Sequence, residues 1–245
     1  MLSFASSLAV SPGKQRLALC TDTTNWVFPV PTDKDGTWIA QARTVHSFVC
    51  DVVFGVEPSF YVGPENGMNS VEWETANIRL PPVDLACRFP DRMTTEELLG
   101  HEDALIVHYR RIIEIAGKYG KTKSPRPFPY FRIQPAVIAD SHLLTSFSWT
   151  DDLHETQTVL DVFVEAGAGP ARLVHADQDQ GWGLLVVASG VATCLIEWDA
   201  EGPPPAEGGF AFDHAELARQ ASAALERLKI IHSRLVKAIG RDYWT

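Results

Sequence analysis

Five residues in one short stretch, His142, Asp151, Asp152, His154 and Glu155, are of the types that ligate a metal or exchange protons. Asp152 with Glu155 three positions later is also the spacing of a helix N-cap, which accounts for both without any chemistry. Asp177-Gln178-Asp179-Gln180-Gly181 carries alternate carboxylates followed by glycine, the beginning of a calcium loop. The third alternate oxygen ligand and the distal Glu are missing, and the same residues suit a polar turn between strands. Gly117-Lys118-Tyr119-Gly120-Lys121-Thr122 resembles the end of a phosphate loop, but Ile115 stands where the pattern needs its first glycine. It reads instead as the end of a helix, with lysines at the negative pole of the dipole. HExxH, GxSxG and paired-cysteine zinc patterns are absent from the sequence. Cys20, Cys50, Cys87 and Cys194 are widely spaced and read as buried free thiols. These patterns assign no catalytic residue, metal or cofactor. A hydrolase or metalloenzyme would have to bring His142, His154, His175 and acidic neighbours together in the folded chain.

Charge is more informative. The chain has 245 residues and a formal charge of −10. Asp140 to Glu216 holds fourteen acids and one base, Arg172, so more than the whole excess lies there. Such a segment repels nucleic acid and anionic lipid and attracts a basic protein. A short basic run, Lys118, Lys121, Lys123, Arg126 and Arg132, precedes it. Basic and aromatic residues interleave only from Lys121 to Arg132, so neither a nucleic-acid surface nor a membrane contact is expected. No apolar run is long enough to span a bilayer, and Met1 to Lys14 has no base before its short, serine-broken apolar part. The expected location is the cytoplasm.

The elements that must carry these residues form an α+β pattern, mainly antiparallel sheet with several packed amphipathic helices. The clearest is the last helix: Asp213 and Glu216 supply a capping pattern, Leu217, Ala221, Ala224, Leu225, Leu228, Ile231, Leu235 and Ile239 a stripe, and Gly240 a stop. The stripe would serve either an internal core or a homodimer seam. A second helix is expected from the Thr94/Glu97 capping box to Gly120, a third over about 38–53, and a fourth over 152–165. Strands are expected over 70–80, 130–137 and 142–149. Trp182 to Ala188, Ser189-Gly190 and Val191 to Trp198 read as a hairpin, with Arg172 to His175 as a third strand beside it. The stretch EGPPPAEGG at 201–209 reads as a linker before the last helix. One domain over 1–245 is expected, with a subdivision near 122–129 as the alternative.

The block Gly181-Trp182-Gly183-Leu184-Leu185 through Cys194-Leu195-Ile196-Glu197-Trp198-Asp199, followed by a long helix ending Gly240-Arg241-Asp242-Tyr243-Trp244, resembles bacterial polymorphic-toxin immunity proteins. The likeness is to the α+β family, fifty-two in the usual numbering, that accompanies restriction-endonuclease-like toxins of type VI secretion. The resemblance implies an antitoxin that acts by binding, without catalytic residues, on a secreted toxin that is a nuclease. Such a toxin is basic where it grips phosphates, so an inhibitor's carboxylates would stand in for them. The residues expected to face it are Asp177, Asp179, Glu197, Asp199 and Glu201, with Trp182 or Trp198 as anchors. In extended chain Asp177 and Asp179 share a face, as do Glu197, Asp199 and Glu201, while Trp198 points the other way. Besides the enzyme, the competing reading is an adaptor or chaperone of a secreted effector, which requires an exposed apolar groove.

Overall fold

The computed structural model describes residues 37–63, 74–121, 130–145, 147, 150–179, 182–199 and 204–245. Glu201, Trp26, Trp73, Trp149 and the 122–129 stretch lie outside the described residues. Helix α1 (Thr37–Gln41) opens the fold, followed by β1 (Arg43–Val45), β2 (Val49–Gly55), β3 (Ser59–Tyr61), β4 (Asn77–Arg79) and β5 (Arg92–Thr94). Then come α2 (Thr95–Leu98), α3 (Glu102–Lys118), β6 (Ile133–Ala139), β7 (His142–Thr145) and α4 (Leu153–Glu165). The chain closes with β8 (Gly169–Asp179), β9 (Trp182–Gly190), β10 (Ala192–Asp199), β11 (Phe210–Asp213) and α5 (His214–Ile239). The class is α+β. A five-stranded sheet has the order β1-β11-β10-β9-β8, a four-stranded sheet β5-β2-β6-β7, and β3 pairs with β4. Of these pairings only β1 with β11 is parallel.

Helix α5 holds the sheets together. Its Leu217, Ala221, Ala224, Leu228, Ile231 and Leu235 are buried in the chain's own core, and it touches β2 of one sheet and β10 and β11 of the other. The stripe is therefore used internally. Asp213 caps it by accepting the Glu216 N–H at 2.9 Å, while the Glu216 carboxylate turns to Arg219 and Gln220, so the capping box is half formed. Gly240 ends it at φ +83°, a left-handed conformation that glycine adopts without strain.

Two helical expectations change. The Thr94/Glu97 box forms completely but caps only α2, because Gly100 at φ +87° turns the chain before α3 begins. The helix expected over 38–53 is a single turn, α1, followed by β1 and β2. Val45, Phe48, Val49, Val52 and Val53 fit a helical face, yet β2 is covered on both sides, so the alternation that would mark a strand is hidden. Cys50, Val52 and Phe54 enter the main core, while Val53 packs with Ala136 and Ile138 on the other face.

Between them Asp51 is fully buried in β2. Its carboxylate accepts from the Val52 N–H at 2.7 Å, the Glu96 N–H at 3.1 Å and the Thr95 hydroxyl, and pairs with Arg227 Nη2 at 3.1 Å. Arg227 Nε donates to Thr95 Oγ1 at 2.9 Å, so β2, α2 and α5 meet on one carboxylate.

His108 on α3 is buried and neither ring nitrogen has a hydrogen-bond partner among the described residues. Burial holds the imidazole neutral, lowered to about 4. The folded state therefore takes up this proton at lower pH than the unfolded chain does. Stability should fall as pH drops from about 6.5 towards 4, by up to about 3 kcal/mol from this group. Urea unfolding across that range should show the slope, and His108→Leu should flatten it; an equal slope in the variant would assign it elsewhere.

Candidate functional site: the acidic end of the five-stranded sheet

The expected hairpin is present with its loop one residue later. Ser189 pairs with Ala192, leaving Gly190-Val191 as the two-residue turn, and Gly190 takes the positive φ of +64° that such a turn needs. The third strand is longer than expected: β8 runs along β9 to Asp179, with register shifts after Gly169 and Leu173. Asp177 and Asp179 are thus in a strand.

The register decides where the acids go. Asp177 lies opposite Leu184, which lies opposite Glu197; Asp179 lies opposite Trp182, which lies opposite Asp199. Directly paired residues share a face, as do residues two apart. Positions 177, 179, 182, 184, 197 and 199 therefore lie on one face of three adjacent strands, at the end where β9 begins. Leu184, Val186 and Trp182 on that face belong to the main core, so the acidic positions lie beside it along the sheet. His175 shares the face, opposite Val186. Burial lowers its imidazole below the usual value, and the Asp177 carboxylate opposes that shift. Trp182 Nε1–H donates to Glu197 Oε1 at 2.7 Å, holding this carboxylate in place. Asp177 is half-buried and has no ion-pair partner among the described residues. Arg172, the one base of the acidic segment, donates to the Ala166 carbonyl.

The tryptophans have a different role from the expected one. Trp182 is 6% exposed and Trp198 7%, so neither indole offers a surface anchor. Trp198 lies on the opposite face, with Val187, Cys194, Ile196 and Trp38. Its ring lies on Gly183, where a Cβ would come within 2.3 Å of it. Trp38 covers Gly209 in the same way, at 2.7 Å. The Gly-Trp spacing of the hairpin is thus a packing device: glycine leaves room for a cross-strand indole.

The dispersed histidines stay dispersed. His142 is exposed on β7, His154 exposed on α4, and His175 stands on β8 in the other sheet. Asp152 caps α4, its Oδ1 accepting the Glu155 N–H at 2.9 Å. No group of three or more His, Cys, Asp or Glu among the described residues could hold a metal. Two cavities lie elsewhere. One of about 330 Å³ is walled by Val56, Leu80, Pro81, Pro82 and Met93, and one of about 270 Å³ lies beside Cys50, Glu96 and Arg227. Among the described residues, the exposed large apolar side chains are scattered: Leu99 after α2, Val107 on α3, Tyr119 at its end, Val191 in the hairpin turn and Ile230 on α5. Cys50 and Cys194 are buried free thiols as expected, whereas Cys87 is partly exposed. No helix among the described residues is long and apolar enough to cross a membrane.

No family model, curated protein or solved structure matches this chain.

Proposed function

We propose that this protein is a cytoplasmic antitoxin, an immunity-type protein that binds and neutralises a basic secreted toxin, with a nuclease as the target. The observation that carries this reading is the convergence of Asp177, Asp179, Glu197 and Asp199 on one face of three adjacent strands. The only base of the segment is engaged elsewhere, on the Ala166 carbonyl. Carboxylates fixed on a sheet present charge at strand spacing to a partner. A phosphate-binding groove, lined with Lys and Arg, is complementary to such an array. Work on the toxin is done by occupancy: the carboxylates sit where phosphates would, and no bond is made or broken. The likeness of the Gly181 to Asp199 block to toxin-immunity proteins supports the same role.

The test is capture of the neighbouring gene's product by the purified protein, followed by titration calorimetry at low and high salt. Tight binding that weakens with salt by about tenfold or more is the expected result, because an acidic face works through screened charge. A complex indifferent to salt would place the contact on apolar surface instead. Absence of binding, with a hydrolytic activity in the purified chain, would return the role to an enzyme.

A further inference from the structure

We propose that the outer edge of β8 is a strand-docking edge: an extended basic segment of a partner adds beside it as the next strand, with alternate lysines or arginines opposite Asp177 and Asp179. The partner's identity rests on the antitoxin reading above; the edge does not.

Among the described strands, β8 ends the five-stranded sheet, and it runs 11 residues where the opposite edge, β1, has three. The ladder shows which of its backbone groups β9 leaves unused. Ser189 and Ala192 close the Gly190-Val191 turn, so β9 bonds to β10 through Ser189, Val187, Leu185 and Gly183. Val186, Leu184 and Trp182 are left for β8, where they meet His175, Asp177 and Asp179. Ala176 and Gln178 consequently turn their N–H and C=O groups outward, and Ala176 is exposed.

Proteins blunt long edges with lysine, proline or tight bulges. From Leu173 to Asp179 β8 has no lysine, arginine or proline, and its bulge at Val174 lies before the regular stretch. What it carries is acid, on the two positions that would oppose non-hydrogen-bonded residues of an added strand, where side chains approach most closely. A second copy of this chain is a poor occupant, since acid would meet acid on a protein of charge −10. A strand with bases at alternate positions fits both the ladder and the charge.

The probe is a synthetic heptapeptide alternating lysine and valine, with a twin of equal charge whose central valine is proline. Full-length protein labelled with nitrogen-15 is titrated with each, and amide exchange is read at Ala176 and Gln178. The alternating peptide should slow exchange at both by about tenfold or more, and the proline twin should bind about tenfold more weakly. Ala176→Pro, tolerable on an edge where the lost N–H points outward, should weaken the alternating peptide equally while the melting temperature holds. Equal binding of the two peptides, no binding, or unchanged exchange at Ala176 and Gln178 would overturn the proposal. If the neighbouring gene's product fails to bind but the peptide docks on the edge, the antitoxin reading falls and the edge stands. If that product binds wild type and Ala176→Pro alike, the edge falls and the antitoxin reading stands.

Discussion

If the protein is the antitoxin proposed above, reversing two charges, Asp177→Lys with Asp179→Lys, should weaken its binding to the proposed toxin by about a hundredfold or more while leaving the fold intact. Close charge pairs at protein interfaces couple by about 1.5–7 kcal/mol, and reversal replaces attraction with repulsion. Both positions lie on edge strand β8, and Asp177 makes no ion pair with a described residue that the substitution would break. Calorimetry against the toxin measures the loss, and circular dichroism checks the fold. A control separates position from total charge: Asp161→Lys with Glu165→Lys, both exposed on α4, makes the same change in net charge. It should weaken binding far less and mainly through the association rate. If both double variants lose affinity equally, the general field of the protein attracts the toxin and the β8 acids have no special place.

Replacing Asp51 with asparagine should cost about 3–5 kcal/mol of folding stability, since removing one partner of a buried pair leaves the other uncompensated. Val52 and Glu96 donate to different carboxylate oxygens, so the single amide oxygen keeps one set and the NH2 faces a donor, either the Glu96 N–H or the Val52 N–H together with Thr95 and Arg227. Arg227 then has lost the charge that its side chain reaches across to meet, and the junction of β2, α2 and α5 loosens. Urea unfolding followed by circular dichroism should show the midpoint falling with little change in slope. A loss under about 0.5 kcal/mol would show that the carboxylate's charge contributes little to the junction. Binding of the proposed partner by the folded fraction should be unchanged, because Asp51 lies in the four-stranded sheet and the acidic positions in the other.

The β8 acids and Asp51 are unequally legible in the sequence. Asp177 and Asp179 stand out because alternate carboxylates in an acidic segment are a local pattern. Asp51 is hidden inside the apolar run Val49 to Gly55, and its partners Thr95, Glu96 and Arg227 are remote in the chain. One signal was available, a lone acid among buried apolar residues, which must be paired to be tolerated. The run itself reads as helix because both faces of β2 are covered.

The sequence by itself determined what depends on neighbours along the chain: the cap, stripe and glycine stop of α5, the turn glycine of the β9–β10 hairpin, the N-cap at Asp152, and the concentration of acid between Asp140 and Glu216. It also placed Asp177 with Asp179, and Glu197 with Asp199, as two pairs each on one face. Whether the two pairs share a face was decided only by the tertiary structure. Side chains alternate with a period of two, so a register one residue different between β8 and β9 would have sent them to opposite sides of the sheet. Contacts on both faces hold these registers: Leu184 and Val186 enter the main core and Gly183 lies beneath Trp198, which seats β9 on β10, while Val174 on the main core and Leu173 on the opposite face seat β8. These contacts come from residues brought together by folding, and together they put four acidic positions on one face of the sheet.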